Sequence, residues 1–238
     1  MRHTLAIALV LSLLGLPLHA KMVDEGRFDV ILRGIPAGQL VFKAEQAGGL
    51  YAVAGKVQST GIVAALLTFR YDATARGTVT SKGFRPSFYS QDTDRRGRRA
   101  RAEMSYRSGV PRPPEITPPR GPAPYDLDPA TQGGTIDPLT AIFAVLRDQP
   151  RDSACNTSLT LFDGRRRTQL TLGAPIVQAD GTATCTGNYK RLGGFSPEDL
   201  AERSVFPMTL KLQPVADKLR VSEVRVPTVY GDAVLRRR

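Results

Sequence analysis

Apolar and polar residues alternate along most of this chain, and a period of two dictates a fold built from half-buried strands. Leu40, Phe42 and Ala44 alternate with Val41, Lys43 and Glu45. Tyr51, Val53, Gly55 and Val57 follow with the same period, and Phe69, Tyr71, Ala73 and Ala75 face away from Arg70, Asp72, Thr74 and Arg76. Leu170 and Leu172, then Met208, Leu210 and Leu212, then Leu219 and Val221 repeat the pattern. Successive strand side chains point to opposite faces, so each run offers one face to a core and one to water. Turn chemistry separates the runs: Gly34 to Gly38, Gly48-Gly49, Asp163-Gly164 and Asp180-Gly181. An Asp-Gly pair between alternating runs is a hairpin signal. About a dozen short strands at this spacing predict a mainly β protein, an antiparallel curled sheet or open barrel with one or two short helices.

Two helices interrupt the strands. Asp137-Pro138 sets a capping acid before a first-turn proline, and Leu139, Ile142, Phe143 and Leu146 follow as one apolar stripe. Ser196-Pro197-Glu198-Asp199 opens a shorter helix through about Arg203, with acids in its first turn. A third apolar piece, Gly61 to Leu67, fits either a helical turn or a buried strand. From Gly109 to Thr135 the chain carries eight prolines and little apolar content, which reads as an extended, partly mobile loop or linker. It divides a β-rich part over 21–108 from a helix and second β-rich part over 136–238; whether these form one sheet or two domains is left open by the sequence.

Residues 1–20 have the layout of a cleavable secretion signal: basic Arg2, an apolar run from Leu5 to Leu16, a break at Pro17 and a small residue at Ala20. A membrane-spanning helix needs roughly 20 apolar residues, more than this run supplies. Lys21 follows the expected cut where a lipoprotein would have cysteine, so a soluble periplasmic protein of 218 residues is expected. The only two histidines, His3 and His19, would leave with the leader. Histidine is the usual general base and metal ligand. Its loss removes Ser-His-Asp and Cys-His nucleophile activation and histidine-zinc sites. No cofactor motif is present either, and a non-enzymatic protein is expected. Carboxylate pairs such as Asp92 with Asp94 and Asp126 with Asp128 have no organising motif around them. Asp137 and Asp163 read as a helix cap and a turn residue.

An oxidising compartment makes Cys155 and Cys185 a disulfide pair. In a plain three-strand meander, the first and third strands stand about 9.6 Å apart, beyond the roughly 7 Å Cα limit of a bridge. Either Cys155 lies off the end of its strand or the strand order is not a meander. The formal charge is +11, or +10 without Arg2, and arginine far outnumbers lysine. Export argues against nucleic acid. Basic clusters at Arg95, Arg96, Arg98, Arg99 and Arg101, at Arg165, Arg166 and Arg167, and at Arg236 to Arg238 could contact an anionic polymer or lipid surface if they converged; as scattered charge they are solvated faces. The first two fall at expected hairpin tips.

An ordered series of segments carries a family resemblance: RGIPAGQL (Arg33 to Leu40), RPSFYSQ (Arg85 to Gln91), DPLTAIFAVLR (Asp137 to Arg147), LFDGRRRTQLTL (Leu161 to Leu172), CTGNYKRLGGF (Cys185 to Phe195) and VPTVYGDAVLR (Val226 to Arg236). Together they resemble the exported bacterial domain of unknown function family 3108. The resemblance implies a periplasmic antiparallel β protein, similar in outline to curled-sheet envelope proteins that wrap around a helix, and it transfers no catalytic residue. Two functions of different class are expected from this. The first is binding of an amphipathic ligand or an envelope protein partner inside or along the curled sheet, because concave apolar surface is where ligands bind; a concave face filled by the protein's own helix would remove its main support. The second is an adaptor that contacts anionic envelope polymers or lipids through its arginines.

Overall fold

Alternating side chains need a common core, and here the strands provide it by curling around one helix. The computed structural model describes residues 21–66 and 68–238. The expected leader and both histidines therefore lie outside the described residues. In chain order come β1 (Met22–Leu32), β2 (Ile35–Ala47), β3 (Leu50–Ser59), α1 (Gly61–Leu66), β4 (Phe69–Thr80), β5 (Gly83–Arg95) and β6 (Arg98–Arg107). The Pro-rich segment contributes β7 (Val110–Pro111), β8 (Glu115–Thr117) and a single 3-10 turn (Pro129–Thr131). Then follow α2 (Pro138–Leu146), β9 (Gln149–Pro150), β10 (Thr157–Phe162), β11 (Arg167–Leu172), β12 (Ile176–Val177), β13 (Ala183–Gly193), α3 (Pro197–Glu202), β14 (Val205–Val215), β15 (Lys218–Thr228) and β16 (Gly231–Arg237).

The strands form one antiparallel sheet in the order β10-β11-β13-β14-β15-β16-β1-β2-β3-β4-β5-β6-β7. The first and last long strands meet, β1 pairing with β16 from Phe28↔Arg237 to Leu32↔Ala233. Strands from both sides of the Pro-rich segment thus share one sheet. The sheet is mainly β and not closed by strand pairing: β6 and β10 remain as its two long edges. The Pro-rich segment spans the gap between them. Its β8 pairs with β6, Gly134 N–H bonds to Gly109, and Ile136 exchanges backbone hydrogen bonds with Thr160 and Phe162 on β10. Asp126 clasps both Arg120 and Arg165 across the same gap. The prolines of this strap lack donors that an edge would leave unpaired, which suits an extended cover over sheet edges.

The inner face carries the alternation read from the sequence: Leu40, Phe42, Ala44, Tyr51, Val53, Ala73, Ala75, Leu210, Leu212, Leu219 and Val221 are all buried. Inside the curl lies α2. Asp137 caps it, accepting from Thr140 N–H at 2.8 Å, and at the far end Arg237 donates to the carbonyl of Leu146 at 2.8 Å. The expected single stripe understates its burial, since Thr140, Ala141 and Val145 are buried as well as Leu139, Phe143 and Leu146. A helix apolar on all sides is an interior helix. Its contact with the sheet is closest at Gly55, where a Cβ would stand 2.6 Å from Leu139 Cδ1. Phe143 packs edge-on to Phe84 at 5.5 Å between centroids, beside Phe42 at 6.1 Å.

Cys155 and Cys185 are bonded with Cα atoms 6.3 Å apart. The strand order β10-β11-β13 is a meander, and Cys155 solves the distance problem by lying just before β10, with φ of +62°. The Gly61-to-Leu67 piece is helical over α1, and none of the residues of α1 is buried: Ile62 is 71% and Leu66 78% exposed. Among the described residues no helix is long and apolar enough to cross a membrane.

Candidate functional site

The interior helix does not fill the whole curl. One side of α2 packs against β3, β4 and β5 through Leu139 and Phe143. On the other side lies an apolar cavity of about 360 Å³, lined by Ala141, Ile142 and Val145 of α2 and by Leu40, Leu161, Leu170, Met208, Val224 and Leu235 of the sheet; at its margin Ala141 packs with Ile136 and Leu161. Sites for small ligands have about 300–1,000 Å³, so this is a small site. Ala141 is the smallest of the helix residues that line it.

Polar groups gather at the mouth. Asp163, Arg166 and Phe195 line it together with Tyr189 and Thr168. Asp163 accepts from the backbone N–H groups of Arg165 and Arg166, at 2.9 and 2.7 Å, and so shapes the β10–β11 turn. Burial pushes the Tyr189 phenol up, against the lowering effect of its bond to Thr168. A ladder of alternating cations and rings leads away from this rim: Arg166 lies 4.9 Å over Phe195, Arg191 is 5.2 Å from both Phe195 and Phe206, and Arg203 is 5.5 Å from Phe206. Cation–ring contact holds a guanidinium in place while leaving its donors free. Arg191 spends one donor on the carbonyl of Asp199 and Arg203 one on that of Pro227. None of Arg166, Arg191 and Arg203 forms an ion pair among the described residues.

On the side of α2 that packs against β3 to β5, tyrosine hydroxyls are set within the apolar core. Tyr51, Tyr71, Tyr89 and Tyr106 come from four neighbouring strands, β3 to β6. Tyr51 Oη lies 2.8 Å from Thr140 Oγ1, which donates to Asp137 at 2.6 Å. Tyr71 and Tyr89 share a 2.6 Å bond, and Tyr89 donates to Gln91. Complete burial pushes the Asp137 carboxyl up to about 6, against its hydrogen bonds to Thr140.

The residues singled out in the sequence fall in different places. Arg95, Arg96, Arg98 and Arg99 sit at the exposed β5–β6 hairpin, while Arg101 is tied to Asp92 and Glu103 further along β6. Arg165 pairs with Asp126 and Arg167 bonds to Gln132, so only Arg166 of that trio faces the cavity. The C-terminal trio disperses: Arg236 pairs with Glu223, Arg237 turns inward to α2, and Arg238 pairs with Asp29. Asp94 holds Gly97 N–H and Arg99, and Asp128 caps the 3-10 turn. Two charge-assisted bonds to Arg165 and Arg120 and a backbone bond from Ala123, outweighing partial burial, hold the Asp126 carboxyl at about 2. Sequence reasoning missed Arg191, Phe195, Arg203 and Phe206, which are brought together by the β13–β14 pairing and the α3 connection between those strands. The tyrosines were within reach, since each occupies an inward position of an alternating strand.

A family profile described as "Protein of unknown function (DUF3108)" matches residues 27–188. The chain belongs to this family. The DUF3108 match spans β2 to β6, the strap, α2 and the first strands after it, so it includes the interior helix and Leu40, Leu161 and Leu170 of the cavity wall. The fold also resembles the crystal structure of a beta-barrel-like protein of domain of unknown function DUF1849 from Brucella abortus, with 12% identity and a TM-score of 0.48 over 91% of this chain and 95% of that one. No curated protein matches the chain.

Proposed function

We propose that this DUF3108 protein is a non-enzymatic binding module of the cell envelope that takes a single-chain amphipathic anion, with the chain beside α2 and the charged head at the arginine–phenylalanine ladder. The observation that carries the reading is the coincidence of an apolar cavity with the unpaired, ring-stacked Arg166 at its mouth, continued outward by Arg191 and Arg203. The helix lies inside the curl, which narrows the ligand from a broad concave surface to the space left beside it. An engineered apolar cavity of about 150 Å³ holds one benzene. By that measure the space beside α2 holds on the order of a dozen carbons, enough for one medium-length chain and too little for two. A guanidinium presents a planar fork suited to carboxylate or phosphate.

Isothermal titration with dodecanoate and with dodecanol tests the reading. The wild-type protein should bind dodecanoate more tightly, and Arg166→Ala should remove most of that preference while leaving dodecanol unaffected. Ala141→Phe should abolish both; Ile142→Phe, at a less buried cavity position, serves if the first variant fails to fold. Equal affinity of wild type and both cavity-filling variants would place the ligand elsewhere and end the proposal.

A further inference from the structure

Four consecutive turns at one end of the sheet combine exposed apolar side chains with arginine. From the antiparallel order, the β15–β16, β1–β2, β3–α1–β4 and β5–β6 connections are neighbours at the same end. The first carries Tyr230, 73% exposed, the second Ile35, and the third Ile62 and Leu66 on α1. These are physically joined: Arg33 of the β1–β2 turn donates its Nε to the carbonyl of Tyr230 and its backbone N–H to Asp232. Thr60 N–H, leading into α1, bonds to Ala37 on β2. Beyond α1 stands the β5–β6 hairpin with Arg95, Arg96, Arg98 and Arg99, of which only Arg99 forms an ion pair among the described residues. The far ends of the same strands carry exposed Met22, Val23 and Leu50 beside Lys21, Lys82 and Lys218, but no run of arginines like that of the β5–β6 hairpin.

We infer that this end of the sheet docks on the surface of an anionic lipid bilayer, with Ile62, Leu66, Ile35 and Tyr230 entering the interface and the β5–β6 arginines contacting head groups. Charge complementarity selects an anionic partner. The apolar residues select a bilayer over a solvated polymer, which offers nothing to bury them against. Shallow apolar insertion combined with basic residues is how peripheral segments hold to membranes. The inference does not depend on the cavity being a ligand site, because the docking residues lie outside it.

Vesicle co-sedimentation of the full chain decides the matter, with vesicles of mixed phosphatidylglycerol and phosphatidylcholine and of phosphatidylcholine alone. The protein should bind the anionic vesicles and be released near 1 M salt, where the Debye length falls to about 3 Å. Replacing Arg95, Arg96 and Arg98 by alanine should lower the partition constant roughly 100-fold. Ile62→Ser with Leu66→Ser should lower it at least about tenfold; both side chains are exposed, so the fold should persist. Leu50→Ser with Lys82→Ser, at the opposite end, should change nothing. Equal binding to both vesicle types, or an equal loss from the opposite-end variant, would overturn the inference. So would an arginine effect with none from Ile62 and Leu66, which would mark a polyanion surface instead.

Discussion

Replacing Asp137 by asparagine should make the protein more stable at neutral pH. The carboxyl is fully buried at the start of α2, and its ionisation is pushed from 3.8 to about 6. Between those values the unfolded chain has released the proton and the folded chain still holds it. Stability therefore falls as pH rises from about 4 to about 6, and above that the buried charge imposes a constant cost. At about 1.4 kcal/mol per pH unit, the displacement amounts to about 3 kcal/mol. Asn is as good an N-cap as Asp, and the side chain can keep its place. Its oxygen accepts from Thr140 N–H, and its amide donates to Thr140 Oγ1, which turns its own proton to Tyr51. Urea unfolding of both proteins from pH 4 to pH 8 measures the effect. Taking the difference between the two curves cancels groups such as Asp126, whose lowered carboxyl adds stability above its unfolded value and loses it only as pH falls towards about 2. The two should be alike at pH 4, and the variant should gain up to about 3 kcal/mol by pH 8. A difference that does not change with pH would refute the burial reasoning. A variant weaker at pH 8 would mean that the charge supports the helix by more than its burial costs.

Two further perturbations address the frame. Changing both Cys155 and Cys185 to serine opens a loop of 30 residues; on the chain-entropy account this should cost about 3–4 kcal/mol, read as a lower urea midpoint with a steeper slope, because the released unfolded chain exposes more surface. Gly55→Val should destabilise by about 1–3 kcal/mol through overpacking against Leu139 and should also weaken dodecanoate binding, as the helix is forced towards the cavity; undiminished binding would show that the helix does not move.

The alternation of Leu40, Phe42 and Ala44, and of Met208, Leu210 and Leu212, was enough to read a curled antiparallel sheet, because a period of two is a property of single strands. The cap at Asp137 and the turn at Asp163 were legible for the same reason: each acts on backbone within three residues. The cavity was not legible. It depends on which side of the curl α2 leans to, and that is fixed by Gly55 meeting Leu139 across 84 positions of sequence. The ladder at its mouth escaped for a related cause, since Arg166, Phe195 and Arg203 reside on three different connections. The strap misled in a third way. Its prolines describe an extended chain correctly but say nothing of what it lies against, and Asp126 finds Arg165 only in the folded state.

Gly55 and Ala141 together explain why an interior helix leaves a cavity at all. A helix inside a curled sheet of this width could sit midway, packed equally on both walls. The missing Cβ at Gly55 lets Leu139 approach the β3 backbone, and Phe143 then settles between Phe42 and Phe84. Close packing on that wall recovers dispersion energy that a central position would forfeit on both sides. The opposite side of the same helix presents Ala141, which reaches Leu161 and Ile136 but no further along the cavity wall. A larger residue there would close the gap with ordinary core packing, so the space is a consequence of a small residue on each side of one helix. The mouth of that space, at Arg166 and Phe195, opens on the turns that share an end with α1 and the β5–β6 hairpin. A ligand leaving the cavity would therefore emerge towards the surface on which we infer the protein docks.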